Sequence, residues 1–213
     1  MPPELAPAAI GAGAAALGLR LDEAQLRRLA AFASLLRRWN AVHNLTAIRG
    51  DETLTHHLLD SLAVAPQLAA VRGGQPRVLD AGSGGGLPGV VLAIALPAAS
   101  FTLVDAAQKK CAFLTQARLE LALDNVQVQH ARIEALQLPP FDVVVSRALG
   151  TLAQLAAWTR HLLKPDGIWL AMKGRLPQDE LAALPADVEA RAIELRVPGL
   201  NEQRHLIEMR LRR

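Results

Sequence analysis

Asp80 closes the apolar run Val78-Leu79 and opens Ala81-Gly82-Ser83-Gly84-Gly85-Gly86-Leu87-Pro88-Gly89, in which five of nine residues are glycine; the apolar run Val90 to Leu96 follows. This reads as a strand, a glycine-rich turn and a helix. Glycine belongs where the backbone takes positive φ or where a ligand must approach without meeting a Cβ. The unpaired N–H groups of a helix start suit a polar ligand. A second carboxylate, Asp105, closes the next apolar run, Phe101-Thr102-Leu103-Val104. Two carboxylates at neighbouring strand exits can accept hydrogen bonds from hydroxyls or from an ammonium group.

The spacing Gly84-x-Gly86-x-x-Gly89, with Asp105 as a ribose-binding acid, matches the dinucleotide fingerprint and makes a nicotinamide-dependent Rossmann oxidoreductase the alternative reading. Two details favour S-adenosylmethionine instead. The charge of Asp80 would face a pyrophosphate but would attract an ammonium, and Pro88 has no N–H to offer a phosphate. S-adenosylmethionine carries an ammonium, a cationic sulfur and ribose hydroxyls, and no phosphate.

The elements that must position these groups follow from the pattern. The capping box Asp22/Gln25 starts a long helix with an apolar stripe of Leu26, Leu29, Ala30, Ala33, Leu36 and Trp39. A short helix from Ala8 to Leu17, closed by Gly18, precedes it. The opposite face of the long helix carries Arg27, Arg28, Arg37 and Arg38, either as a solvated face or as RNA phosphate contacts. The stretch Trp39 to Thr46 reads as a structural joint, and a third helix is expected after Asp51, running through His56, His57, Asp60 and Ser61 towards Pro66. Adjacent histidines point about 100° apart on a helix and cannot share a metal, so no metal site is expected there. The loop Arg72-Gly73-Gly74-Gln75-Pro76 divides a helical region, 1–74, from an α/β domain, 75–213.

Strands are expected at 77–80, 100–104, 125–130, 141–146, 167–172, 190–197 and 205–211, with helices at 89–96, 108–121, 151–163 and 178–184. Such alternation gives a mostly parallel sheet with helices on both faces. The short link between the last two strands makes them antiparallel. A mostly parallel seven-stranded sheet with one antiparallel strand is the Rossmann-like architecture of class I S-adenosylmethionine-dependent methyltransferases. Ligands bind such sheets at the carboxyl ends of the strands. Those ends nominate Asp80 and Gly82, then Asp105, then Ile133 and Glu134 against an adenine, then Arg147, then Lys173. An arginine ending the apolar run Phe141 to Val145 costs free energy to bury without an anionic or π partner, which favours a site role for Arg147.

Residue types exclude several chemistries. The chain has no tyrosine, which removes a Tyr-x-x-x-Lys proton relay and an Asn-Pro-Pro-Tyr tetrad for exocyclic amines. The single cysteine, Cys111, lies in the helix after the second strand, so thiolate attack on a pyrimidine is unsupported. Methylation of an atom that needs no base survives, and guanine N7 is such an atom: catalysis can be alignment, with Arg147 or Lys173 positioning the base or phosphate. With 213 residues and one cysteine the chain suits a single α/β domain with an appendage in the cytoplasm. Glu4 ahead of the run Ala6 to Leu19 argues against a signal peptide, and no membrane span is expected. The net charge of +3 is compatible with a polyanionic partner without establishing one.

Trp39-Asn40 with Asn44-Leu45-Thr46, His57 with Asp60-Ser61, the Asp80 to Gly89 stretch, Ser146-Arg147-Ala148, Lys173-Gly174 and Arg204-His205-Leu206, in this order over almost the whole chain, resemble the bacterial 16S rRNA guanine-N7 methyltransferase family, also called glucose-inhibited division protein B. The resemblance implies S-adenosylmethionine as donor and, as acceptor, a guanine of the 530 loop of 16S rRNA, the one usually numbered 527. The partner it implies is the small ribosomal subunit or its precursor, met by a monomer. It assigns Gly82, Leu87, Asp105, Ile133, Glu134 and Arg147 to the cofactor, beside Asp80 and Gly84 from the strand exit and turn, and Lys173, Arg204 and His205 to the RNA. Two departures stand out: Ala106 where the family often has serine, and Gln203 where an acid commonly precedes the Arg-His pair, which would loosen Arg204. A non-catalytic RNA-binding assembly factor that keeps the cofactor fold is the remaining alternative.

Overall fold

Asp22 and Gln25 cap the long helix reciprocally: the Asp22 amide donates to Gln25 Oε1 and the Gln25 amide to Asp22 Oδ1, both at 2.8 Å. This satisfies donors that a helix start leaves open. In the computed structural model, which describes residues 5–43, 45, 53–71 and 75–212, the capped helix is α2, Glu23–His43, preceded by α1, Pro7–Ala16. The buried side of α2 includes Leu29, Ala30, Phe32, Ala33, Leu35 and Leu36. Asn44 and Thr46 of the expected joint, Asp51 and the Arg72-Gly73-Gly74 part of the expected boundary loop lie outside the described residues.

The expected third helix is instead three pieces. Thr53–Leu59 winds as a π-helix, followed by α3, Asp60–Leu62, and α4, Ala65–Ala69. The unusual winding coincides with polar residues turned inwards: His57, Asp60 and Ser61 are all buried. π-Helical turns often accompany functional sites, where a regular helix would direct such side chains elsewhere.

The strands are β1 Arg77–Ala81, β2 Ser100–Asp105, β3 Val126–His130, β4 Phe141–Arg147, β5 Leu163–Lys173, β6 Val188–Glu194 and β7 His205–Leu211. They form one sheet in the order β3-β2-β1-β4-β5-β7-β6. The pairs from β3 through β5 are parallel, and β7 runs antiparallel to both β5 and β6. The antiparallel strand is thus present as expected, but it is inserted between β5 and β6. β5 also begins four residues before the expected start at 167. Its pairing with β4 shifts register between Phe141/Val143, which accommodates Pro165 and Gly167 in the extension.

On one face α5, Gly89–Ala95, and α6, Gln108–Glu120, pack with the N-terminal helices. On the other lie α7, Leu152–Thr159, and α8, Gln178–Ala182. Alternate strand residues serve the two sides. Val78, Val143, Val145 and Leu170 join the core that includes Ile10, Phe32 and Leu62, whereas Leu79, Val144, Trp169 and Ile207 join the core under α7. Strand order reverses between β1 and β4, so the ligand crevice of this fold lies beyond Ala81 and Arg147. Among the described residues no helix is long and apolar enough to cross a membrane.

Candidate active site

β1 delivers Asp80 to the switch point, but under the glycine turn and not at an open cleft. The side chain is fully buried, Oδ2 accepts from the Gly89 amide at 3.0 Å, and among the described residues Oδ1 has no hydrogen-bond partner. Burial pushes its pKa up to about 7 against the opposing hydrogen bonds. The expectation of free amides at the start of α5 does not hold. The amides of Gly86 and Leu87 donate to the Ser83 carbonyl, that of Gly89 to Asp80, that of Val90 to the Gly86 carbonyl, and Pro88 has none. With Ser83 N given to the Val104 carbonyl and Gly84 N to Asp105, the turn keeps little donor capacity for a diphosphate.

Gly82 takes φ +72°, and a Cβ there would come within 2.8 Å of Leu149 Cδ1. A side chain at this position is therefore disfavoured both by backbone conformation and by the Leu149 side chain. At Gly84 a Cβ would stand in nearly open space, 3.8 Å from the Gly82 carbonyl, which leaves the turn approachable from that side. The side chain of Leu87 is buried, which leaves its backbone to meet a ligand.

Asp105 ends β2, with Oδ2 accepting from Gly84 N at 3.0 Å and Oδ1 from Ala107 N at 2.9 Å; Lys110 Nζ lies 3.4 Å from Oδ2. An ionised carboxylate has about four acceptor sites, so one remains beside the two amides and Lys110, and a second where the lysine gives way to a hydroxyl. The 3-10 turn Ile133–Ala135 follows β3. Ile133 packs against the α7-side core, while Glu134 is exposed, with Arg132 Nη2 at 3.6 Å.

Arg147 does have the anionic partner its burial demands, supplied by the chain itself. Nη1 donates to the His56 carbonyl at 3.1 Å and reaches Asp60 Oδ2 at 3.4 Å. Asp60 Oδ1 lies 3.2 Å from Arg204 Nε, and Arg204 Nη2 pairs with Glu202 Oε2 at 2.9 Å. Glu202 also receives His56 Nε2 at 3.2 Å. The loss of an acid at Gln203 therefore does not free Arg204, because Glu202 and Asp60 hold it from two sides. Burial raises the Asp60 pKa while both arginines oppose the rise, and burial beside Arg147 lowers that of His57 to about 4.

Lys173 was expected to face RNA, yet its Nζ is held by Glu180 Oε2 at 2.8 Å, Glu180 Oε1 at 3.0 Å and the Gly150 carbonyl at 3.1 Å. His205 pairs across the ladder with Lys173 and places Nδ1 2.8 Å from the Gly174 carbonyl. On α2, Arg27 pairs with Glu23, Arg38 with Glu120, and Arg37 Nη2 lies 3.4 Å from Ser34 Oγ. Among the described residues no group of three or more His, Cys, Asp or Glu side chains is placed to hold a metal.

Sequence reasoning gave no role to Asp60, Glu180, Glu202 or Leu149. A charge imbalance was the available signal for the first three: each strand-exit cation needed a carboxylate, and these are the acids that the fold brings to them.

The comparisons agree with this geometry. A family profile described as rRNA small subunit methyltransferase G (GidB) matches residues 25–207. A protein of Acidovorax ebreus named ribosomal RNA small subunit methyltransferase G is 52% identical over 213 residues, covering 95% of this chain and 94% of its own. One of the same name from Neisseria meningitidis is 48% identical over 198 residues, with 92% and 94% covered. Among solved structures, an rRNA methylase from Streptococcus thermophilus shares the fold with a TM-score of 0.52 at 17% identity, covering 70% of this chain and 94% of that one. A strand order with one inserted antiparallel strand, two carboxylates at the first two strand exits and a match over nearly all of the sequence lead to one assignment: the chain belongs to the rRNA small subunit methyltransferase G family, S-adenosylmethionine-dependent enzymes of the class I fold.

Proposed function

We propose that this chain methylates N7 of a guanine in the 530 loop of 16S rRNA, the guanine usually numbered 527, on the small ribosomal subunit or its precursor. It acts as a monomer in the cytoplasm, with a helical region, 1–74, serving the α/β domain, 75–213. The oxidoreductase and assembly-factor alternatives are set aside by the family assignment.

The residues present fit the cofactor. Among the described residues Asp80 Oδ1 is a buried acceptor without a hydrogen-bond donor, and its charge favours an ammonium group on the far side of the glycine turn that covers it. Asp105 keeps acceptor sites for ribose hydroxyls, Gly82 and Gly84 keep the turn free of side chains, and Ile133 with Glu134 offer an apolar face and an acceptor to an adenine. The engaged amides of the turn disfavour a diphosphate in the same place. When bound, S-adenosylmethionine supplies an electrophilic methyl group on a sulfonium.

The observation that carries the choice of acceptor lies at the end of β4. The group there is a cation, Arg147, whose carboxylate partner Asp60 is committed to two guanidiniums and so is no free base. Guanine N7 presents an in-plane lone pair and needs no proton removed, so alignment suffices. Arg147 positions the acceptor at the crevice, and Arg204, His205 and Lys173 address the RNA along the adjoining edge. Lys173 does so by exchanging Glu180 for phosphate.

The test uses small subunits lacking the modification, methyl-labelled S-adenosylmethionine and mapping of the label. Label at N7 of a 530-loop guanine is expected. Label on another atom or another nucleotide overturns the reading.

A further inference from the structure

Asp60 is 4% exposed and joins three segments far apart in sequence. It sits at the start of α3, Arg147 at the end of β4 and Arg204 immediately before β7. Each guanidinium touches a different oxygen of the same carboxylate, by one atom, at 3.4 and 3.2 Å. A pair selected for stability would be bidentate and shorter, near 2.8 Å. Buried ion pairs are in any case weak stabilisers compared with apolar residues of the same volume. What a shared, single-point carboxylate does provide is a fixed relation between two cations that would otherwise repel one another. Arg147 also keeps donors to spare, since among the described residues only its Nη1 is engaged, with Asp60 and the His56 carbonyl.

We propose that Asp60 is a positioning residue that couples Arg147, at the cofactor crevice, to Arg204, at the RNA-facing edge, so that a ligand drawing on one cation changes the hold on the other. Coupling of this kind is reciprocal: whatever factor RNA contact at Arg204 applies to cofactor affinity, the cofactor applies to RNA affinity. The inference rests on the methyltransferase reading.

The experiment measures S-adenosylhomocysteine affinity by calorimetry for the wild type, Arg204→Met, Asp60→Asn and the double variant, with melting temperatures recorded for each. Arg204→Met, one carboxylate removed from Arg147 and not itself assigned to the cofactor, is expected to change the dissociation constant by about five-fold or more, and the change is expected to vanish in the Asp60→Asn background. An unchanged constant in Arg204→Met, or an equal change in both backgrounds, overturns the proposal. A lowered melting temperature with unchanged affinity, the mark of a purely structural role, overturns it too. If Asp60→Asn does not fold, Arg204→Met alone decides, since Arg204 lies in a loop and is partly exposed. A wild type that binds no S-adenosylhomocysteine fails the methyltransferase reading, and this inference falls with it; a wild type that binds with an affinity indifferent to Arg204 fails only the coupling.

Discussion

The Gly89 amide donates to Asp80 Oδ2 at 3.0 Å, tying the end of β1 to the first residue of α5 across a fully buried contact. Any Cβ at position 89 would overlap that oxygen and Leu103 Cδ2. Neither neighbour can yield, because one is a buried carboxylate and the other a core leucine. Gly89→Ala is expected to cost about 3 kcal/mol or more, lowering the melting temperature by roughly 10 °C. A melt within about 2 °C of the wild type would contradict this packing.

The raised pKa of Asp80, about 7, makes cofactor affinity pH-dependent. The carboxylate must be ionised to attract the ammonium and the ammonium must keep its proton, so affinity is expected to rise as pH increases towards 7 and to fall again as the ligand's amino group, ordinarily about 7.7–8.0, deprotonates. Asp80→Asn should bind more weakly, with no such rise. For the protein without ligand the sign reverses: the folded state holds this proton more tightly than the unfolded chain, so Asp80 favours folding increasingly as pH falls from about 7 towards 3.8. Dissociation constants between pH 6 and 8 check the first claim.

His57 behaves oppositely. Burial, and Arg147 beside it, lower its pKa from 6.5 to about 4, so between these values the unfolded chain binds a proton that the folded protein refuses. Stability contributed by the neutral ring is complete above about 6.5 and is lost as pH falls towards 4, on the order of 3 kcal/mol. Replacing His57 by Gln should flatten this part of the stability profile, measured by denaturant unfolding from pH 4 to 7, whatever it does to stability at neutral pH.

Glu180 neutralises Lys173 and also accepts from the Leu152 amide at 2.7 Å, at the start of α7. Glu180→Gln keeps an acceptor for that amide but releases the lysine. RNA binding is expected to tighten at low salt, with the slope of log affinity against log salt steeper by about one unit. An unchanged slope would mean that Lys173 does not reach phosphate. Glu180→Ala, which also strips the amide of its partner, should destabilise the fold by about 1–3 kcal/mol.

Strands β1, β2 and β4 were legible because a parallel strand covered on both faces reads as an uninterrupted apolar run, as in Val78-Leu79 or Val143-Val144-Val145. The start of β5 was not legible, since Lys164-Pro165-Asp166-Gly167 has the composition of a turn and enters the strand only as a bulge between Leu163 and Ile168, which pair with Phe141 and Val143 of β4. The segment after Asp51 towards Pro66 was read as one regular helix because a π-helix has no compositional signature. At the site, the positions of Asp80, Asp105 and Arg147 at strand exits were evident from local pattern. Their partners were not: Arg147 and Asp60 are 87 residues apart, and nothing local in either stretch refers to the other. The engagement of the turn amides was hidden for a related reason, as it depends on where Asp80 and Ser83 fold back, a property of the closed turn.

β7 lies between β5 and β6, although β6 is made first. While the chain is being synthesised, Val188–Glu194 has no ladder to join until His205–Leu211 arrives and slides in beside β5. Assembly of this flank therefore waits on late-translated residues, and a message cut short before them would leave two exposed β-edges prone to sticking to other chains.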